Sequence, residues 1–254
     1  MSDTQLLPVV WTLASMVIFV LVTLAVSPAR AAQLRLTPGG RFIESVARLL
    51  YYVGLPYLTL LTNSLAPIDL GLAGNSGPLL GWSTPDWLAA LNDWLVVGLI
   101  ALIPIGGVAR QLAHHARPLG IDVRPTSSII VDSVYSEIHW AFYRAAPLIL
   151  LGDVYVATLA GAGLILVEQA VTLAHRGLSA EPEERQSWLG QALLLTMSAT
   201  LFALTRNLWL IVALHLITEL LLKAWSSRLI SPAIESTVER PSRESVESID
   251  QPLA

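Results

Sequence analysis

Cysteine is absent from the 254-residue chain, so neither a disulfide framework nor thiol redox chemistry is open to it. Charge is scarce as well. The 15 basic and 19 acidic residues make up 13% of the chain, where a soluble domain carries roughly a quarter. Seven of them (Glu235, Glu239, Arg240, Arg243, Glu244, Glu247 and Asp250) fall in the last 20 residues, so the rest is poorer in charge still. The 16 glycines follow no three-residue period, which excludes a collagen-like chain, and 54% hydrophobic residues exclude a wholly disordered one. A formal net charge of −4 provides no basic stripe, so nucleic acid is excluded as a partner. A soluble single domain is disfavoured on the same composition, and the lipid bilayer is the expected environment.

What the chain does contain is long apolar runs. A helix needs about 20 mostly apolar residues to cross the hydrocarbon core, and seven runs suit: Leu6–Val26, Ile43–Thr62, Trp94–Ala109, Ile129–Leu151, Val154–Ala174, Trp188–Thr205 and Leu208–Trp225. Thr84, Pro85 and Asp86 read as N-cap, first helical residue and first-turn anion of the helix holding the third run. Only Arg206 and Asn207 separate the last two runs, which predicts a tight hairpin. The first run has Asp3 and no basic residue before it, unlike a cleaved signal peptide, while Arg30, Arg35 and Arg41 follow it. By the positive-inside rule its N-terminus lies outside and the C-terminus inside. Trp82, Trp87 and Trp94 then fit an outer aromatic belt. The fold expected is an all-α polytopic transmembrane bundle of about seven spans, multi-pass in the inner membrane. Residues 1–128 form an N-terminal region of three spans, 129–228 a four-helix core and 229–254 a disordered cytoplasmic tail.

Ionisable groups inside spans cost on the order of 2.5–3.5 kcal/mol each and so mark partners or function. The fourth run carries Asp132, Glu137, His139 and Arg144. Glu137 and Arg144, two turns apart, share one face; Asp132, Ser136, His139 and Tyr143 share roughly the opposite one, which predicts a helix inside the bundle. Counted at about 1.5 Å per residue from the cytoplasmic side, Glu137, His139, Glu168, His215 and Glu219 all fall ~8 to ~16 Å deep, with Arg144 at ~22 Å. Convergence on one wet chamber is the expectation. There a carboxylate could activate water and an imidazole could stabilise an oxyanion. His215 and Glu219 with His139 or Glu168 could alternatively ligate a metal. Neither metal nor cofactor is specified by the spacing, and no HExxH, GxSxG, P-loop or dinucleotide fingerprint occurs.

Ser136-Glu137-Ile138-His139-Trp140-Ala141-Phe142-Tyr143-Arg144, followed later by Leu208–Glu219 with His215, resembles the CPBP group of CAAX-processing and bacteriocin-processing intramembrane proteases. The resemblance spans about residues 129–226. It implies a helical membrane core with Glu137 as the water-activating carboxylate and His215 as a polarising or oxyanion-side residue; taken with the shared depth, His139 joins His215 on the oxyanion side, Arg144 orients the acid, and Glu219 ends the last motif. Ser136 replaces the first acid of the family's Glu-Glu-x-x-x-Arg, Arg144 stands seven after Glu137, no Phe-x-x-x-His is present, and Glu219 replaces Asn or Asp. The function expected is thus an intramembrane endopeptidase, or a catalytically silent relative, acting on membrane-associated peptides or proteins from the cytoplasmic side. Two other classes remain: a proton-coupled transporter using the same carboxylates and imidazoles, and a scaffold gathering partners through the small-residue stretch Ala157–Gly163.

Overall fold

The computed structural model describes residues 3–116, 125–176 and 182–238, and among these it is helical without a strand. Helix α1 (Asp3–Ala25) is followed by α2 (Pro28–Leu36) and α3 (Pro38–Leu49). Both short helices start as their sequences dictate. Ser27 Oγ accepts from Arg30 N–H, Thr37 Oγ1 accepts from Gly40 N–H, and a proline occupies the first helical position of each. Helix α3 runs without a break into a π-helical segment (Leu50–Gly54) and then α4 (Leu55–Leu61). Pro56 explains the π turn: it has no N–H to donate to the Tyr52 carbonyl and its ring would strike that carbonyl, so the ladder shifts, and Leu55 N–H bonds to Leu50 O instead.

Helix α5 (Thr84–Ala116) begins with a reciprocal cap in which Asp86 N–H bonds Ser83 Oγ and the Asp86 carboxylate accepts from Ser83 N–H. The cap is Ser83, one residue before the Thr84 expected. Helices α6 (Thr126–Leu151), α7 (Val154–Arg176), α8 (Pro182–Thr205) and α9 (Leu208–Val238) complete the chain. The α8–α9 hairpin is as tight as predicted. Arg206 adopts φ 50°, and Asn207 Oδ1 caps α9 by accepting from the N–H groups of Trp209 and Leu210. The connection before α5 is tied to it: Leu208 N–H donates to Gly71 O, and at φ 73° a Cβ on residue 71 would lie 2.5 Å from Arg206 O. Helix α9 continues to Val238, beyond the Trp225 end and into the segment expected to be a disordered tail, because extending a long helix costs less than starting one. Residues 239–254 of that tail lie outside the described residues, as does the 117–124 connection.

Four segments are long and apolar enough to cross a membrane: Leu6–Ala25, Thr84–Arg110, Val154–His175 and Leu208–Trp225. The sequence reading of seven is larger because it also takes in three rods that length and apolarity alone do not qualify. Helix α6 contains Asp132, Glu137 and Arg144, α8 is apolar only over Gly190–Thr205, and the second run passes through α3, the π turn and α4, none of which is long enough by itself. Large apolar side chains facing outward, such as Leu21, Leu99, Ile103 and Leu159, form the lipid-facing surface of a multi-pass protein.

Helix α6 is the central rod, packed on α7, α9, α1, α4 and the π segment, with Trp140 to Ala146 all buried. On one side it joins a cluster with Ile165, Leu194 and Leu208; on the far side α5, α8 and α9 close around Ile105, Leu201, Phe202 and Ile211. Lipid removes most of the hydrophobic drive between helices, so close packing must hold them together. Gly161 supplies it: a Cβ there would lie 2.7 Å from Arg144 Cγ and 3.0 Å from the Arg144 Cα and N. The small-residue stretch thus seats α7 on α6. Trp94, one of the residues expected in an outer belt, locks α5 to α9 by donating to Leu210 O at 2.9 Å.

Candidate functional site

The α6 face bearing Glu137 and Arg144 meets α8 and α9. His215 Nδ1 lies 2.7 Å from Glu137 Oε1, and Ser198 Oγ donates to Glu137 Oε2 at 2.6 Å. Ser198 Oγ in turn accepts from Arg144 Nη2 at 2.7 Å, while Arg144 Nη1 lies 3.9 Å from Glu137 Oε2. The guanidinium sits over the Phe202 ring, 5.0 Å from its centroid, and the His215 ring lies 5.4 Å from that of Trp140. Glu137 and Arg144 are fully sealed at 0% exposure, and His215 is buried at 6%. Arg144 Nε and Nη1 have no hydrogen-bond partner among the described residues. Desolvation of this kind strengthens the attraction between the guanidinium and the carboxylate.

His139 follows Glu137 by two positions, a rotation of about 200° around the helix, and it belongs to a separate network. Its Nε2 lies 3.2 Å from Glu168 Oε2. Glu168 Oε1 accepts from the hydroxyls of both Tyr51 and Tyr143, and Ser15 Oγ lies 3.3 Å from Tyr143 OH. Three tyrosine rings surround the imidazole, with centroids at 4.8 Å (Tyr51), 5.1 Å (Tyr52) and 4.3 Å (Tyr143). Consecutive Tyr51 and Tyr52 both reach His139 from the π turn, a feature common at functional positions. Asp132 on this side pairs with Arg48 at 2.6 Å.

The single chamber expected from depth is therefore two networks on opposite faces of α6. Glu137, Arg144 and His215 come together; His139 and Glu168 come together elsewhere; Glu219, half-buried on α9, joins neither. Equal depth fixes height in a bundle and leaves rotation about each helix undetermined. Sequence reasoning missed Ser198, Ser15, Tyr51 and Tyr52. Pro56 inside an apolar run was the available signal for the π turn; a lone serine in the apolar Gly190–Thr205 stretch of α8 gives none. Among the described residues no group of three or more His, Asp or Glu is arranged to hold a metal ion. Compared with known proteins, the chain matches no family model, no curated protein and no solved structure.

Proposed function

We propose that this is a glutamate-dependent intramembrane endopeptidase of the CPBP type, cleaving membrane-associated peptides or proteins from the cytoplasmic side of the inner membrane. The observation that carries the reading is the buried Glu137–His215 contact at 2.7 Å between α6 and α9, braced by Ser198 and Arg144. Glu137 takes a proton from the attacking water as that oxygen bonds to the scissile carbonyl carbon, then returns it to the leaving nitrogen. His215 donates to the developing oxyanion. Arg144 and Ser198 are positioning residues, holding Oε2 so that Oε1 faces the imidazole. Seven crossings with the N-terminus outside suit the same reading, since α3, the π turn and α4 form one unbroken rod and α6 and α8 have 26 and 24 residues.

A second reading, a catalytically silent relative, is favoured by the saturation of Glu137, both of whose oxygens already have partners, and by a serine instead of an imidazole at the α8 contact. Reconstituted protein with a membrane-anchored, quenched fluorescent peptide separates them. An endopeptidase cleaves it and loses about 10²–10⁴-fold in rate on Glu137→Gln. No cleavage by wild type above Glu137→Gln, together with a lowered melting temperature for the variant, selects the silent relative.

A further inference from the structure

Away from the Glu137 network, and sharing Tyr51 and Tyr52 with the His139 network, a cavity of about 780 Å³ lies between α1 and the rod formed by α3, the π turn and α4. Its walls are apolar, including Phe19, Val22, Leu55 and Leu58, and Arg48 and Glu44 are the charged residues lining it. Helix α1 packs on α4, α6 and α7, so the groove is closed along α4 and opens along α3. That open end is basic. The α2–α3 pair, which begins directly after α1, carries Arg30, Arg35, Arg41 and Arg48 against one acid, Glu44. Arg35 is spent on Glu44 through a bidentate contact and Arg48 on Asp132. Arg30 and Arg41 are exposed with no ion-pair partner among the described residues, and Arg41 is two turns from Arg48 on the same face of α3. The apolar side of this pair also faces outward, with Leu36, Phe42 and Ile43 at 81%, 70% and 62% exposure, as in a helix lying in the headgroup layer.

We infer that this groove is a seat for one anionic glycerophospholipid, with an acyl chain between Val22 and Leu58 and the headgroup phosphate at the Arg41 end of α3. An apolar slot alone would accept any alkyl chain. The unspent arginines at its mouth select the charge, each basic residue near a membrane surface favouring an anionic headgroup. The seat stands independently of the proposed peptidase chemistry, because it shares no residue with the Glu137 quartet.

The test is native mass spectrometry of the full chain released from detergent micelles and titrated with phosphatidylglycerol or phosphatidylcholine of equal chain length. One phosphatidylglycerol should bind about tenfold more tightly than phosphatidylcholine. Val22→Trp, which fills the slot at a lipid-facing position, should abolish this tight binding, and Arg30→Gln with Arg41→Gln should bring the two lipids to within about twofold. Both variants change exposed side chains and their folding is checked by melting temperature. Equal affinity of wild type for the two lipids, or undiminished phosphatidylglycerol binding by folded Val22→Trp, would overturn the assignment.

Discussion

Position 161 shows how finely the bundle is set at the scale of single residues. Any side chain there meets the Arg144 backbone, so Gly161→Val must push α7 off α6 and loosen the residue that braces Glu137. A loss of about 1–3 kcal/mol is expected, read as a lower melting temperature in detergent. Gly163→Ala, with nothing within 4 Å of the added carbon, should change stability by less than about 0.5 kcal/mol. The two networks make a second contrast. Glu168→Gln replaces an acceptor facing His139 with an amide and should destabilise the protein by about 1–3 kcal/mol. It should leave peptide cleavage within about twofold of wild type, since Glu168 contacts none of the Glu137 quartet. A loss of cleavage as large as that of Glu137→Gln would show that the networks act as one.

Among the elements, α6 and the π turn explain what the sequence discloses and what it hides. The burial of α6 was legible because charges on two opposite faces leave a helix no side to turn towards lipid. The α8–α9 hairpin was legible because Arg206-Asn207 is the only polar break in that apolar stretch. Which carboxylate pairs with which imidazole was not, since that depends on rotation about each helix, and the π turn changes this phase by adding a residue to one turn. Deleting Gly54 should remove the extra residue and rotate the two ends of the rod relative to each other by about 100°. Either Tyr51 and Tyr52 then leave His139 or α4 leaves α1, and the melting temperature falls sharply. Gly54→Ala keeps the residue count and meets no atom closer than 3.5 Å, so it should be tolerated.

For the whole molecule, the lack of cysteine is an experimental advantage, because an introduced thiol is the only one present. If the N-terminus lies outside, as proposed, a cysteine at Ser76 in the connection before α5 should react with an impermeant maleimide on intact cells, and one at Ser27 between α1 and α2 only after lysis. Reversed labelling would invert the topology and place the basic α2–α3 end outside. The membrane class and all-helical architecture were legible from composition and run length. The number of crossings was less so, because the charges that build the interior of α6 are the same charges that disqualify it as an apolar span.

In the proposed reaction Glu137 and His215 act on one reacting carbonyl as a unit. A double-mutant cycle in kcat/KM, using Glu137→Gln, His215→Gln and both together, measures this directly. Groups acting as a unit are strongly non-additive. Each single variant should therefore lose about 10²–10⁴-fold and the double variant no more than about threefold beyond the worse single one. Cleavage by folded Glu137→Gln at the wild-type rate, or losses that simply multiply, would contradict it.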